Sequence, residues 1–308
     1  MIAYLVRRAA ATGLVLLGLS LLTFIVLAFV PGDAAHILAG PHADAALLAR
    51  IRHNWGLDQP LPLRYLAYLG NIMHGDLGRS FVVDQDVWPA IAQRLPATIQ
   101  LAVCGLLCEL LVGLALGLLA ADHEGGVLDR LLLALTAVSI STPTFLLGLL
   151  LLLGLGSWLG LLPLGGYGDP WPRYVILPAL AIGLPGGAWY SRLLRASVLE
   201  IRGADHVRTA RAKGLRPPRL NRRHILPLAV LPLIPLVGSD FASLLGGVVV
   251  VESVTNWPGI GQQAFLSLKQ NDVPMVMGVV LTAGLGVVTL NLLADLLVGL
   301  LDPRVRLR

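Results

Sequence analysis

Four carboxylic acids stand within otherwise apolar stretches of this sequence: Glu109, Asp240, Glu252 and Asp295. Holding a charge in hydrocarbon is costly, so acids kept there commonly serve an ion path or a water-filled cavity. They could relay protons in a carrier driven by an ion gradient, or they could face a wet cavity or a partner helix. We favour the second interpretation, because no basic residue of the apolar stretches faces them. Glu109, Asp240 and Glu252 are therefore predicted to face a central cavity or a partner subunit.

A second candidate is the basic segment 199–224, in which eight Arg or Lys residues stand against two acids. Its residues 204–215 are too polar to enter lipid and are rich in the helix formers Ala, Arg and Lys. Mostly small residues share one side at helical spacing: Ala204, Val207, Ala210, Arg211 and Gly214. A left-handed cap at Gly214, and Pro217 forcing Arg216 out of the helical region, would end the helix. The pattern predicts a rigid element of about three turns.

Three interpretations of this basic helix compete. It could be an ordinary positively charged loop on the inner side of a membrane. It could be a patch for anionic lipid, worth about 1 kcal/mol per basic residue near the surface. It could also be a docking helix for another protein. Charge alone favours the first two, whereas the small face, Gly214 and the Pro217-Pro218 pair favour the third.

Catalytic and metal chemistry find little support in the sequence. Cys104 and Cys108 lie four residues apart inside an apolar stretch, which indicates packed side chains rather than a disulfide. None of the seven His residues stands in a metal-ligand cluster, and no HExxH pattern occurs, so an intramembrane hydrolase is disfavoured. No GxxxxGK[ST] phosphate loop occurs either, so ATP would have to be bound by another polypeptide. We predict no catalytic and no metal-ligating residue.

Composition identifies the elements that position these residues. Hydrophobic residues make up 56% of the chain and charged residues only 13%, against about a quarter charged in soluble domains. Six apolar stretches reach the roughly 20 residues that cross a bilayer, at 9–30, 97–121, 131–156, 174–198, 227–251 and 275–301. The first is too long for the apolar region of a signal peptide and precedes no cleavage site. We predict an all-α polytopic membrane protein with six transmembrane helices.

Orientation follows from the basic residues, because short basic loops are retained on the cytoplasmic side. With the N-terminus inside, 16 of the 23 Arg and Lys residues fall on inner segments or helix ends. Both termini are therefore predicted to be cytoplasmic. The net charge of +5 is then a topology signal, and nucleic-acid binding is not expected.

The long outer segment, residues 31–96, differs from the rest. The pattern of residues 46–51 suggests a short amphipathic helix, which Pro60 and Pro62 break. A second apolar stripe at helical spacing then begins at Leu63. We predict a small helical cap, although Trp55, Tyr65 and Tyr68 could equally sit at the lipid headgroups.

Prolines recur within the apolar stretches, as in "SISTPTF" at residues 139–145 and at Pro178, Pro185, Pro227, Pro232 and Pro235. Each proline removes a backbone hydrogen bond and is predicted to kink its helix. Neighbouring hydroxyl groups can satisfy the carbonyl that is freed.

The spacing of Ala210, Gly214 and Leu226-Pro227 resembles the EAA loop of ABC importer permeases, and "RTARAKGL" resembles the dipeptide, oligopeptide and nickel branch. Other segments agree: "GLDQPLPLRYL" at 56–66, "GDLGRSF" at 75–81, "RLPATIQLA" at 94–102, "VVVVESVTNWPGIG" at 248–261 and "LLDPRVR" at 300–306. The motif's Glu and first Ala fall on Arg208 and Thr209, and its Ile falls on His224. Thr255 and Asn256 stand where this branch commonly has an aromatic residue or Ser.

The resemblance implies the type I importer permease fold and a non-catalytic subunit of the bacterial inner membrane. It implies one half of a path for di- or oligopeptides or similar small solutes, with Glu109, Asp240 and Glu252 expected along that path. Expected partners are a second permease, two cytoplasmic ATPase subunits that bind ATP and Mg²⁺, an external solute-binding protein and membrane lipid. An ion-gradient-driven carrier is the alternative.

The resemblance also divides the chain into residues 1–30 with the first span, the external segment 31–96, and a five-helix core at 97–308 with a coupling loop at 199–226. It makes the basic helix an ATPase-coupling helix. Its expected residues are Ala204, Val207, Arg208, Thr209, Ala210, Arg211, Ala212, Lys213, Gly214 and Leu215.

Overall fold

The computed structural model describes residues 2–29, 35, 44–54 and 56–301. Contacts divide the chain into two compact units. The first holds the described residues of Met1–Ile99, Leu245–Val249 and Pro258–Thr289, and the second holds those of Gln100–Leu244, Val250–Trp257 and Leu290–Arg308. Regular structure in these described ranges is helical, with one isolated antiparallel bridge between Arg79 and Asp86.

The helices follow one another along the chain. They are α1 (Ile2–Ala28), α2 (Ala45–Asn54), α3 (Leu61–Met73), α4 (Val87–Asp122), α5 (Val127–Ser141), α6 (Thr144–Leu151), α7 (Arg173–Arg202), α8 (Asp205–Ala212), α9 (Pro217–Leu220), α10 (Leu226–Ala229), α11 (Ile234–Gly247), α12 (Val249–Val254), α13 (Ile260–Lys269) and α14 (Val273–Leu301). Two π-helical turns, Leu152–Trp158 and Asn221–Ile225, and a 3-10 turn, Leu231–Leu233, continue or link them.

Within the described residues, four helical segments are long and apolar enough to cross a membrane: Ala10–Ala28, Val87–Asp122, Pro217–Gly246 and Val273–Leu293. The α5–α6 pair supplies a fifth candidate. The predicted fourth span lies in α7, which is not among these candidates because its Pro, Gly, Trp and Tyr residues lower its hydropathy. The helical, membrane-spanning architecture is confirmed, and the count of six spans stays a prediction.

The third predicted span, 131–156, is not one straight helix. Its two parts, Val127–Ser141 and Thr144–Trp158, meet at an angle of 104°. Pro143 has no amide hydrogen and disfavours helical backbone at the residue before it, and Thr142 is accordingly extended. The Thr142 hydroxyl donates to the Val138 carbonyl at 2.8 Å. The predicted proline break is therefore confirmed. The Ser139 carbonyl, which the missing Pro143 amide leaves free, accepts instead from the Thr142 amide at 3.3 Å, so compensation by a hydroxyl is not what is found there.

The fifth predicted span begins earlier than expected, because the proline pair starts a helix. Pro217 and Pro218 occupy the first turn of α9, where a missing amide hydrogen removes no intrahelical bond. The helical path then changes form at the π turn and at the 3-10 turn, near Pro227 and Pro232. In contrast, α7 remains one helix through Pro178 and Pro185.

The predicted outer helices are present in the first unit as α2 and α3, on either side of the break before Pro60. The Tyr65 hydroxyl lies 2.8 Å from Ser20 Oγ, and its ring packs on Phe24 with centroids 5.3 Å apart. Tyr65 therefore anchors α3 on α1, and a place of Trp55, Tyr65 and Tyr68 at the lipid headgroups stays a prediction. Trp55 lies outside the described residues. The helix α4 begins at Val87, within the predicted outer segment, whose boundary at residue 96 stays a prediction.

A buried carboxylate ties the "GDLGRSF" loop to the start of α14 in the first unit. Asp272 is fully buried, and its Oδ2 accepts a 2.5 Å hydrogen bond from Ser80 Oγ. Its Oδ1 accepts one from the Phe81 amide at 3.1 Å. Ser80 Oγ in turn accepts from the Val83 amide at 3.0 Å. One aspartate thus fixes a loop that lies 192 residues away in sequence.

Glycines allow α4 and α7 to approach closely in the second unit. A Cβ added to Gly113 would lie 2.5 Å from Tyr190 Cβ, and one added to Gly117 would lie 2.8 Å from the Ser191 carbonyl oxygen. From the other side, a Cβ at Gly183 would lie 2.3 Å from Cys108 Sγ. Small residues at such crossings let membrane helices pack backbone to backbone.

We expect Gly113→Ala to destabilise the detergent-solubilised protein, because Tyr190 Cβ is fixed to its backbone and cannot move aside. Overpacking of this kind costs about 1–3 kcal/mol. The measurement is the midpoint of thermal unfolding followed by size-exclusion chromatography. Gly154→Ala is the matched control, since an added Cβ there meets nothing within 4 Å. Equal midpoints for the two variants would contradict the close crossing of α4 and α7.

We expect Asp272→Ala to loosen the loop it holds, because the variant removes the acceptor of the Ser80 hydroxyl and of the Phe81 amide. Losing the partner of a buried donor costs about 1–3 kcal/mol. Hydrogen exchange of the amides at residues 80–83 should accelerate. Arg79→Gln is the control, since it removes the exposed ion pair with Asp84 and the hydrogen bond to the Asp84 carbonyl but leaves the contacts of Asp272 in place; an exposed ion pair is worth about 0–1 kcal/mol. Similar acceleration in both variants would refute the assignment to Asp272.

Candidate functional site

The basic helix predicted from the sequence is α8, in the second unit. It has eight residues and is shorter than the predicted 204–215, because Ala204 has extended backbone and Lys213 ends the helix. Gly214 has a φ of +78°, and Arg216 is extended with φ −64° and ψ 144°. The left-handed cap and the proline effect on Arg216 are therefore confirmed. Only two residues, Gly203 and Ala204, separate α8 from α7.

One face of α8 packs into the chain itself. Val207 is fully buried and Ala210 is 7% exposed. Both belong to one apolar cluster that runs along α7 to the start of the fifth span: Ala121, Tyr190, Leu194, Val198, Val207, Ala210, Leu220, Ile225, Ala229 and Leu233. The predicted small face is thus divided, which corrects the expectation that Val207 and Ala210 are available for docking. A two-turn helix lying on α7 must bury its apolar positions there.

The other face of α8 is exposed, small and basic. Its exposed residues are Asp205, His206, Arg208, Thr209, Arg211 and Ala212; Lys213 and Gly214, which follow the helix, are exposed too, while Ala204 and Leu215 are half-buried. Arg208 pairs with Asp205 at 3.5 Å, but both side chains are largely solvent-exposed, so this pair contributes little. The outward surface of α8 therefore carries positive charge that is not neutralised by a strong internal partner.

The turn between α4 and α5, residues 123–126, is bound to α7 by arginine side chains. Arg195 makes two hydrogen bonds to the Asp129 carboxylate, Nε to Oδ1 at 2.7 Å and Nη2 to Oδ2 at 2.7 Å. Arg202 donates to the Ala121 carbonyl and pairs with Asp122. Sequence analysis did not identify this group. Asp129 stands in the first turn of α5, where acids are common, but nothing in the sequence indicates a partner 66 residues away.

Two of the three predicted path residues come together in the second unit. Glu109, on α4, is 3% exposed, and its carboxyl lies over Gly186, where an added Cβ would be 2.4 Å from Glu109 Cδ. Asp240, on α11, is half-buried and close enough to act electrostatically on both Glu109 and the buried Tyr190. Nevertheless, Glu109 Oε2 and the Tyr190 hydroxyl have no hydrogen-bond partner among the described residues.

Glu252 lies elsewhere, on α12, and is 1% exposed. Its carbonyl oxygen accepts a hydrogen bond from the Trp257 amide at 2.8 Å, which closes the turn of the "TNWPG" segment. The side chain of Asp295 lies outside the described part of the chain. A role of Glu109, Asp240 and Glu252 in a path stays a prediction.

The "TNWPG" segment is clamped by the loop before α7. Trp257 is buried and meets Tyr167 edge to face, with ring centroids 4.9 Å apart. The Gly166 amide donates to the Thr255 carbonyl at 2.8 Å. Thr255 is itself buried, and its hydroxyl donates to Val251. The departure from the family pattern at Thr255 thus falls on a packed position.

Comparisons with known proteins agree over the whole chain. Residues 113–307 match the family model "Binding-protein-dependent transport system inner membrane component", and residues 1–102 match the model of its N-terminal part. The chain is 38% identical to the glutathione transport system permease protein GsiC of Pectobacterium atrosepticum, over 99% of each chain. It is 36% identical to a probable peptide ABC transporter permease protein, y4tP, of Sinorhizobium fredii, over 98% of this chain and 99% of the relative.

Solved structures share the fold. A chain of the MetNI methionine ABC transporter, in an inward-facing conformation, aligns with a TM-score of 0.57 at 18% identity, covering 69% of this chain and 96% of that one. A chain of an amino acid ABC transporter aligns with a TM-score of 0.55 at 20% identity, covering 68% and 92%. With family models matching most of its length, the chain belongs to the binding-protein-dependent transport system inner membrane components and is a permease subunit of an ABC importer.

Proposed function

We propose that this permease forms one half of the translocation path for di- or oligopeptides or a related solute such as glutathione. The two relatives named above, a probable peptide permease and a glutathione permease, support this solute class. A second permease, two cytoplasmic ATPase subunits that bind ATP and Mg²⁺, and an external solute-binding protein complete the transporter. The chain itself performs no catalysis, and both of its termini lie in the cytoplasm.

The observation that carries this proposal is the two-faced construction of α8. Val207 and Ala210 fasten the helix to the apolar cluster of the second unit. The opposite face, with Arg208, Arg211 and Ala212, is exposed. A helix that is fastened on one side and open on the other can transmit a push without being pulled from the fold. This supports α8 as the coupling helix that lies in a groove of an ATPase subunit.

The connections of α8 support the same role. It follows α7 after two residues and is followed by α9, the first part of the fifth span. Leu220, Ile225, Ala229 and Leu233 of the fifth span share its apolar cluster. Since close-packed elements move as bodies rather than deform continuously, displacement of α8 would be passed to both spans.

Glu109 and Asp240 are proposed to line the path that these spans open and close. Glu109 and Tyr190 are buried beside the half-buried Asp240. Leaving Glu109 Oε2 and the Tyr190 hydroxyl without a geometric hydrogen-bond partner among the described residues is costly for a purely structural interior. Polar groups of this kind in membrane proteins are retained where water or cargo reaches them. Rearrangement of α4, α7 and α11 would give them that access.

We expect the isolated chain to hydrolyse no ATP and to transport nothing in liposomes. Transport should appear only when the second permease, the ATPase subunits, the binding protein and ATP are all present. Uptake of radiolabelled glutathione and tri-alanine into proteoliposomes measures this directly. Uptake by the isolated chain under a proton or sodium gradient would overturn the proposal in favour of an ion-driven carrier.

Matched substitutions on the two faces of α8 test the coupling role. Ala212→Asp places a negative charge on the exposed face, where it would oppose an ATPase groove without disturbing the fold. ATP-driven uptake per ATP hydrolysed should fall by about tenfold, corresponding to 1.4 kcal/mol of lost interaction, or the ATPase subunits should dissociate. Ala210→Asp instead buries an unpaired carboxylate and should lower the thermal stability of the chain itself.

Gly214→Glu adds bulk and strain at the left-handed cap, and it should impair coupling as Ala212→Asp does. Arg219→Ala, beyond the proline pair and fully on the surface, is the control and should leave coupling nearly unchanged. Normal assembly and import with Ala212→Asp and Gly214→Glu, together with loss of both in Arg219→Ala, would show that the segment is an electrostatic anchor.

A further inference from the structure

The Asp129–Arg195 pair joins two parts of the second unit that are distant in sequence. Asp129 is 3% exposed in its side chain and Arg195 is 21% exposed. Both carboxylate oxygens accept from the guanidinium, and Oδ2 also accepts from the Gly125 amide at 2.9 Å. These two hydrogen bonds fix the orientation of the Asp129 carboxylate relative to the Arg195 guanidinium as well as the distance between them.

Two further arginines, Arg202 and Arg130, hold the same α4–α5 turn. Arg202 donates to the Ala121 carbonyl and pairs with Asp122, at the last residues of α4. Arg130 donates to the Gly125 carbonyl at 3.2 Å. The end of α4, the turn and the beginning of α5 are thereby attached to the last two turns of α7. An ion pair of this burial is costly to assemble, and an apolar pair would often serve stability as well. The Asp129–Arg195 pair is better explained by the position in which it holds the α4–α5 turn against α7.

The ends of α4 and α7 that these arginines join lie next to α8, the proposed coupling helix. Arg202 is the last residue of α7, and Asp205 begins α8. Ala121, at the end of α4, belongs to the same apolar cluster as Val207 and Ala210 of α8. Motion of α8 therefore reaches α4 and α5 by two routes, one through apolar packing and one through the two arginines of α7.

We propose that the Asp129–Arg195 pair is a positioning joint that makes α4 and α5 move with α7 when the ATPase displaces α8. The proposal rests on α8 being the coupling helix. Without the joint, movement of α8 would reach α4 and α5 only through the apolar cluster, and the α4–α5 turn would be free to slide along α7. With the joint, a carboxylate gripped on both oxygens prevents the turn from sliding along α7.

Hydrogen exchange of the complete transporter tests this joint, with and without a non-hydrolysable ATP analogue. In the wild type, nucleotide should change the exchange of amides both in α8 and in residues 121–130. In Arg195→Gln the change in α8 should persist, whereas that in residues 121–130 should shrink about fivefold or more, the lower end of usual coupling effects. A merely structural role would change exchange equally with and without nucleotide.

Two variants guard against misfolding and charge effects. Arg195→Lys keeps the charge but cannot grip both oxygens, so it should lose most of the nucleotide response of the turn while remaining assembled. Arg192→Gln, three residues earlier on α7, is the matched control, because Arg192 is exposed and has no ion pair among the described residues. It should respond as the wild type does.

The outcomes separate this inference from the proposed function. A nucleotide response in α8 with an unchanged turn in the wild type, or a normal turn response in Arg195→Gln and Arg195→Lys, would overturn the joint alone. No response in α8 of a wild-type complex whose ATPase subunits bind nucleotide would overturn the coupling role of α8, and the joint with it.

Discussion

The close crossing of α4 and α7 is the constraint on which the second unit depends. Lipid offers no hydrogen bonds and little hydrophobic drive between helices, so contact area must come from tight packing. Gly113 and Gly117 on one side and Gly183 on the other bring the two backbones together. That approach places Glu109 against α7 at Gly186, and it aligns Ala121 with the apolar residues that fasten α8. The buried carboxyl of Glu109 and the attachment of α8 are consequences of one helix crossing.

A second consequence is mechanical. Helices that touch along their backbones have few side chains between them to absorb displacement, and interiors of this density transmit strain. The arginine contacts at the end of α7 extend the same rigidity beyond the apolar cluster. The helices of the second unit are therefore expected to respond together when one of them is displaced.

Sequence analysis predicted the elements whose signals are local. The left-handed Gly214 and the break at Pro143 follow from the geometry of single residues, and both are present. The outer helices α2 and α3 follow from apolar periodicity interrupted by Pro60. The features that were predicted wrongly from the sequence depend on tertiary contacts. Ala210 is small whether it faces a partner or its own core, and only packing on α7 decides which.

The same limit applies to proline pairs and to charges. Pro217-Pro218 can end one helix or begin another, and here the pair begins the fifth span. Asp129 and Asp272 have ordinary sequence surroundings, yet each is buried by a partner that lies far along the chain. Pairings over such separations leave no periodic pattern, so a single sequence cannot reveal them.

The division of α8 into a buried and an open face also bears on how such a transporter can change over evolution. Val207 and Ala210 are buried, so packing within the fold restricts which residues can replace them. Arg208, Arg211 and Lys213 are exposed, so internal packing does not restrict them. On the proposed coupling role, the choice of ATPase partner could change through these three exposed residues while the buried cluster stays untouched. If α8 is the coupling helix, a permease of this construction could accept a different energy-supplying subunit once those outward residues are exchanged.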